Sequence, residues 1–351
     1  MHRYDATALT RFAATAFERA GQPADRALSV AEVLVEGDLM GHDTHGLALL
    51  LPYLDACASG DMAASGEPEI ISATPVVQAW GGRKLPGPWL TRQAIGWASQ
   101  AAETFGIGAV SIAQSHHIAC LAAYGPPVAA AGRMLLLSCS DPATASVAPW
   151  GGTQRIYTPN PLAAAWPTPE GPVLVDVSMS ITTNGMTGRK RAAGELFDHS
   201  WLLDGAGTPT RDPNAFWAEP AGSLLPLGGV EAGHKGFALG LLMEALTSGL
   251  AGLGRAAAPT GWGASVLVMV IDPAKFGGTE AFLAETGWMA HAVRTNPPRP
   301  GMAPRMPGSQ AMARRARALA EGLALHPSIP PALASIAARY GLDQVQLGSG
   351  S

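Results

Sequence analysis

Apolar residues between Ala6 and Met40 recur at the three- and four-residue spacing of a helix face: Leu9, Phe12, Ala13 and Phe17, then Ala27, Val30, Ala31, Val33 and Leu34. The polar interruption from Gly21 to Asp25 predicts a turn between two helices, with Asp25 capping the second. Amphipathic spacing predicts further helices over Leu47–Ala58 and, after a stretch punctuated by Gly81, Gly82, Pro86 and Pro88, over Trp89–Phe105. The middle of the chain changes character. Short apolar runs bounded by Gly, Pro, Asn or Asp predict strands at Ile107–Ala113, Arg133–Cys139, Leu162–Trp166, Val173–Val177 and Ser265–Ile271. Helical spacing returns at Ala119–Ala131, which Pro126 and Pro127 should begin or bend, at Lys235–Gly249 and at Thr279–Thr295. A proline-rich passage, Pro297–Pro307, precedes two last helices, Gln310–Leu325 and Pro330–Tyr340. Helices dominate both ends around a central sheet. The pattern predicts an α/β protein: a helical domain built from residues 1–75 and 290–345, flanking a central α/β region, 76–289, with room for two lobes.

Composition narrows the function. Hydrophobic residues make up 47% of the 351 and charged ones only 14%, the reverse of a disordered chain. A net charge of −4 supplies no field for a phosphate backbone, so nucleic acid is excluded as a partner. Cys57, Cys120 and Cys139 are scattered without metal-type spacing, which predicts free thiols in a reducing, cytoplasmic setting. The N-terminal stretch carries Asp5 and Glu18 within its apolar period and does not read as a secretory signal. The apolar helix ending at Leu250 contains Glu244 and reads as a buried helix, not a membrane span.

The candidate chemistry lies in short polar clusters at the ends of predicted elements. His45 stands between Thr44 and Gly46 at a helix junction. It is either an imidazole whose tautomer the hydroxyl fixes for proton transfer, or a helix-end residue capping carbonyls, with His42 beside it at the surface. His116 and His117 follow a strand and precede a helix, where phosphate-binding N–H groups collect; adjacent histidines rarely face one ion, so no metal is expected. Ser140-Asp141 and Asp176-Val177-Ser178 close two further strands. Lys235 precedes an apolar helix, where the dipole disfavours it unless an anion is near, and Arg305-Met306-Pro307-Gly308 forms a basic turn. No GxGxxG joins a strand to a helix and no GxxxxGK[ST] is present.

In this order, the Ala148-Pro149-Trp150-Gly151-Gly152 run, Asn160-Pro161-Leu162-Ala163, Asp204 with Gly207-Thr208-Pro209-Thr210 and Asp212-Pro213, and Lys235-Gly236-Phe237 resemble the malate/L-lactate dehydrogenase type 2 family from about Ala6 to Leu342. That family also holds ureidoglycolate and sulfolactate dehydrogenases, diketogulonate reductases and Δ1-piperideine-2-carboxylate reductases. The resemblance implies a non-Rossmann dinucleotide-binding sheet, NAD or NADP as cofactor, a small-molecule substrate, and a homodimer. It implies that His45, with Thr44 in place of the family's serine, or His117 is the proton donor. Cofactor contacts would fall on His117, Ile118, Ala119, Cys120, Ser140, Asp176, Val177, Ser178, Lys235, Gly236, Arg305, Pro307 and Gly308. The substrate pocket would include Leu49, Tyr53, Asp141, Pro159 and Met186. Three of these depart from the family. Leu49 stands where an arginine grips a carboxylate, Pro159 where a hydroxyl is usual, and Met186 where a lysine or aspartate is expected; Arg189, Lys190 and Arg191 follow close behind. The expectation is an NAD(P)-dependent oxidoreductase acting on a small carbonyl, hydroxy or imine compound other than a standard 2-keto acid. The alternative is a cofactor-binding but redox-silent relative with an assembly or sensing role.

Overall fold

A computed structural model describes residues 2–343; residues 344 and 345 of the expected C-terminal helical portion lie outside that range. In chain order the helices and strands are α1 (Ala6–Arg19), α2 (Ala24–Leu39), α3 (Leu50–Ser59), β1 (Glu69–Ala73), β2 (Val77–Gly81), α4 (Gly87–Phe105), β3 (Ile107–Ser115), α5 (Gly125–Ala130), β4 (Met134–Ser140), β5 (Leu162–Trp166), β6 (Val173–Val177), α6 (Asn184–Ala192), β7 (Leu202–Leu203), β8 (Pro209–Thr210), β9 (Ser223–Leu224), α7 (Gly229–Glu244), β10 (Ala264–Ile271), α8 (Thr279–Thr295), α9 (Ser309–Glu321) and α10 (Ile329–Tyr340).

The large sheet runs β1-β2-β3-β10-β4-β5-β6, and every neighbouring pair is antiparallel except β2 with β3. A dinucleotide sheet of the Rossmann kind is parallel with helical crossovers, so the missing glycine fingerprint and the topology agree. β10 arrives late in the chain and inserts between β3 and β4, so those strands end side by side with their polar termini, Ser115–His117 and Ser140–Asp141, on one edge of the sheet. A second, three-stranded sheet is ordered β8-β7-β9.

Two separate apolar cores follow from this layout. The first joins Leu9, Phe17, Val30 and Leu34 from the N-terminal helices, Leu333 and Ile336 from α10, and Val110, Leu137 and Val268 from the large sheet. Helices from both ends therefore share one core with the large sheet. The second core gathers Val147, Tyr157, Phe197, Leu202, Phe216 and Leu224 around the small sheet.

Several local expectations are corrected. Pro23, not Asp25, occupies the N-cap of α2; its fixed φ suits the cap, and Asp25 sits in the first turn where its charge complements the dipole. The segment Ala119–Ala131 is a 3-10 turn, Leu121–Tyr124, followed by α5, with prolines in α5's first turn as sterics demand. The helix expected from Lys235 begins six residues earlier at Gly229 and passes into a π-helical turn, Ala245–Gly249. That helix is not buried all round: its glycines Gly229, Gly233, Gly236 and Gly240 face the core, while Val230, Leu239, Leu241, Leu242 and Leu250 are exposed. The basic run Arg189–Arg191 forms the last turn of α6, where cations complement the dipole. No described helix is long and apolar enough to cross a membrane.

Candidate active site

Two imidazoles from distant parts of the chain meet at the edge of the sheet. The loop after α2 carries His45, the loop after β3 carries His117, and their rings lie stacked with centroids 5.9 Å apart. Each approach is made possible by a glycine. At Gly46 a Cβ would stand 2.3 Å from Asp38 Oδ2, whose carboxylate accepts the Leu47 N–H at 2.6 Å and fixes the loop. At Gly87 a Cβ would meet the carbonyl oxygens of His116 and His117 at 2.3 and 2.4 Å, so only glycine lets α4 start against that loop. The backbone is strained here: Arg83, Lys84, Gln114 and Ala119 all hold positive φ, at a cost of about 1–2 kcal/mol each. Strain of this kind persists only where the surroundings over-determine it.

Each ring is oriented by a hydroxyl. Thr44 Oγ1 lies 2.8 Å from His45 Nδ1, as the sequence reading anticipates. Tyr53, fully buried on α3, places its hydroxyl 2.7 Å from His117 Nδ1 and 3.1 Å from the His117 carbonyl oxygen. The Ala119 N–H also donates to His117 Nδ1, at 3.3 Å. A nitrogen that accepts from the backbone carries no proton of its own, so the His117 ring proton sits on Nε2. Trp262, which the sequence reading did not single out, covers the far side of His117 with its ring centroid 4.8 Å away. Its only sequence signal is its place between Gly261 and Gly263 just before β10.

Burial sets the charge state. Desolvation lowers His45 to about 4, assisted by the charges of His42 and Arg189 and opposed by Asp43. Desolvation pushes His117 well below its ordinary value, with the neighbouring His45 and His116 adding to the shift. His116 is wholly buried, its two ring nitrogens lack hydrogen-bond partners among the described residues, and burial lowers it to about 4, although Asp61 Oδ2 stands 4.0 Å from Nε2. The same burial raises Asp38 to about 7 despite the Leu47 N–H. All three histidines are therefore neutral at pH 7.

Next to the pair lies an open cavity of about 410 Å³, lined by Met40, Gly41, His42, Ala122, Leu174, Asp176, Arg305–Gly308, Gln310, Ala311 and Arg314. It shares the loop of His45 through His42 and the segment of His117 through Ala122. Asp176 accepts the Ala122 N–H at 2.9 Å; burial raises its pKa, against the charge of His42. His42 is thus a half-buried wall of the cavity, not a surface residue, because the His45 N–H bonds its carbonyl at 2.8 Å and curls the loop inward. His42, Cys120 and Asp176 bring ligating atoms within 4.8 Å of one another, a grouping that spacing along the chain does not reveal. Burial keeps the Cys120 thiol protonated, which disfavours a thiolate ligand.

The remaining candidate positions divide. Ile118, Ala119 and Cys120 are buried directly behind His117. Arg305, Pro307 and Gly308 line the cavity. Ser140 instead donates to Glu244 at 2.7 Å, within a network in which Arg255 bonds Glu244 Oε1 at 2.9 Å, Ser140 Oγ at 3.2 Å and the Asp141 carbonyl oxygen at 3.0 Å. Asp141 accepts the Ala143 N–H at 2.9 Å, and burial raises its pKa. The hydroxyl missing at Pro159 is present one residue earlier: Thr158 Oγ1 donates to Asn160 Oδ1 at 2.7 Å inside this network. Val177 is exposed and Ser178 bonds the Ser180 carbonyl at 2.7 Å. Lys235 lies in the second turn of α7, on its exposed side, and Gly236 packs on the Leu227 backbone; neither borders the cavity. The reading of Lys235 as a helix-start cation is therefore corrected. Leu49 packs half-buried against the main core, and Met186 packs against the second core.

The malate/L-lactate dehydrogenase family model matches residues 4–334. An L-lactate dehydrogenase of Cupriavidus necator is 31% identical over 316 residues, 88% of this chain and 89% of its own length. A (2R)-3-sulfolactate dehydrogenase (NADP(+)) of Chromohalobacter salexigens is 34% identical, covering 75% of this chain and 79% of that one. Malate dehydrogenase from Entamoeba histolytica superimposes with a TM-score of 0.91 over 97% of this chain and 98% of its own; at 22% identity the match speaks for the fold alone. These matches define an oxidoreductase. The chain belongs to the malate/L-lactate dehydrogenase family.

Proposed function

We propose that the protein is an NAD(P)-dependent dehydrogenase or reductase for a small hydroxy acid, carbonyl or imine compound, with the histidine pair moving the proton. The convergence of His45 and His117 at 5.9 Å, each ring tethered by its own hydroxyl, is the observation that carries this reading. The adjoining cavity fits a dinucleotide: Arg305 and Arg314 offer cations for phosphates, Asp176 offers a carboxylate for hydroxyl groups, and its volume lies within the usual range for ligand pockets. When bound there, the nicotinamide supplies or accepts the hydride. His117 presents its Nε2–H to the substrate oxygen or nitrogen. His45, neutral at pH 7, accepts the hydroxyl proton in the oxidative direction and returns it in reduction. Trp262 and Tyr53 exclude water around His117, which strengthens every polar contact inside the cleft. NADP(+) is named for the sulfolactate relative, and Arg305 and Arg314 suit an additional phosphate, so either dinucleotide is accommodated.

Fluorescence titration with NADH and NADPH, followed by turnover assays with keto acids, cyclic imines and neutral carbonyls, tests the assignment. Saturable cofactor binding with turnover of at least one class is expected. Binding without turnover across the panel favours the redox-silent alternative, and no binding removes the assignment.

We also propose a cytoplasmic homodimer. Its support is the exposed apolar side chains of α7, Val230, Leu239, Leu241 and Leu242, and the free thiols Cys57, Cys120 and Cys139. Sedimentation should give twice the chain mass, and Leu242→Glu should shift it to one.

A further inference from the structure

The structure assigns to Arg189 on α6 the role of receiving the substrate's anionic group. This inference depends on the oxidoreductase reading above and names the substrate class: a small carbonyl or imine compound bearing a carboxylate or comparable anion.

Three cations act on the groups around the histidine pair, and their donors can be accounted for. Arg255 is fully engaged, bonding Glu244, Ser140 and the carbonyl oxygens of Asp141 and Thr144. Lys84 Nζ donates to the Trp262 carbonyl at 2.9 Å and to that of Thr260 at 3.4 Å, with Asp61 4.0 Å away, so it holds the loop bearing Trp262. Among the described residues Arg189 has a single partner: its Nη1 bonds Asp43 Oδ1 at 2.7 Å. A guanidinium carries five N–H donors in a fixed fork, so most of this one is uncommitted. Its side chain is a quarter exposed, neither sealed in the core nor free in solvent.

Position supports the same conclusion. Asp43 immediately precedes Thr44 and His45, and a Cβ at Gly185 on α6 would lie 3.5 Å from Thr44, so α6 is seated directly on the histidine loop. The Arg189 charge is felt at His45, lowering its pKa. Met186, where the family resemblance leads one to expect a lysine or aspartate, lies one helical turn before Arg189 and hence on the same face. The neighbours in the basic run point elsewhere: Lys190 pairs with Glu195 at 2.7 Å, and Arg191 stacks on Trp217 at 4.7 Å. Substrate carboxylate and Asp43 would compete for Arg189.

That competition separates a binding role from a purely structural ion pair. Kinetics are compared for pyruvate and for its neutral analogue pyruvamide, and oxamate binding to the cofactor-loaded protein is measured by calorimetry. Arg189→Met is expected to raise KM for pyruvate and the oxamate Kd about 10–100-fold, with pyruvamide changed less than about threefold. Asp43→Asn is expected to move the oxamate Kd the other way, tighter by about two- to fivefold, because the competing carboxylate is gone. Arg191→Met should change neither. If Arg189→Met and Asp43→Asn both weaken oxamate, or if Arg189→Met affects acid and amide equally, the pair is structural and the inference fails. Wild-type protein that binds cofactor but not oxamate overturns the inference and leaves the oxidoreductase reading standing. Failure to bind either dinucleotide overturns both.

Discussion

The histidine cleft and the cavity beside it are built in opposite ways. In the cleft the two facing imidazoles and their loop are tethered: Thr44 to His45, Tyr53 and the Ala119 N–H to His117, Asp38 to Leu47, with Trp262 against the His117 ring. The cavity is open, and its cations, Arg305 and Arg314, stand exposed on a proline-rich turn and on α9. Proton transfer needs atoms held to within a fraction of an ångström, whereas charge attraction to a phosphate tolerates a looser frame. On the proposed mechanism, precision is confined to the place where the proton moves.

That division is broken most directly by removing a ring. His117→Ala or His45→Ala should lower kcat/KM by about 10²–10⁴-fold, the usual contribution of a positioned acid or base, while leaving the dinucleotide Kd within about threefold. Steady-state kinetics and fluorescence titration on the same preparations check both halves. An equal loss of cofactor affinity would show that cleft and cavity are one unit. Tyr53→Phe sharpens the point, since it keeps the packing but removes the hydroxyl at Nδ1. A loss of about tenfold in kcat is expected, with a shifted pH profile.

The cleft's dryness also has a signature in acid. His45 and His116 are held to about 4 in the folded protein. The unfolded chain takes up those protons near pH 6.5, so stability falls as pH drops from about 6.5 toward 4. Between pH 7 and 5 each histidine accounts for a loss of about 2 kcal/mol. Asp38 acts in the opposite sense. Its folded pKa is raised to about 7, so it gains its proton in the native state first and gives back about 2 kcal/mol over the same interval. Asp38→Asn, which keeps an acceptor for the Leu47 N–H, should therefore steepen the acid loss by about 2 kcal/mol. Urea titrations at pH 5, 6 and 7 measure it; parallel slopes for variant and wild type would show that the cleft is wetter than its burial implies.

Much of the frame was legible in the chain and the long-range tethers were not. β5 and β6 fall on Leu162–Trp166 and Val173–Val177 as the apolar runs indicate, since fully bounded runs leave little freedom in register. β1 and β2 were missed: β1 is exposed along its whole length and carries no burial pattern to read. His45 with Thr44 is a local arrangement, and local order reveals it. Tyr53 to His117 spans 64 positions and Arg189 to Asp43 spans 146, and no spacing rule connects residues that only the packing of α3 or α6 brings together. Lys235 misled because the helix start was placed at the first strongly apolar residue. The six residues that α7 adds before it, Gly229–His234, hold two glycines and only Val230 and Ala232 as apolar side chains, too few to show a helical period.

The smallest effect is expected on the cavity side. Arg305 is exposed, and an exposed cation facing a phosphate is screened by salt and repositions freely. Arg305→Gln should weaken dinucleotide binding by about three- to tenfold, on the order of 1 kcal/mol, with kcat at saturating cofactor unchanged. The deficit should shrink between 50 and 500 mM salt, because wild-type affinity falls toward that of the variant as the charge term is screened. A tether of the kind seen in the cleft would behave differently, giving a deficit independent of salt and a fall in kcat. That outcome would place Arg305 within the precise part of the site and remove the contrast between the two regions. Comparing the dependence for NADPH with that for NADH shows whether the additional phosphate is met here: a steeper slope for NADPH follows if Arg305 faces it, and equal slopes place that phosphate elsewhere.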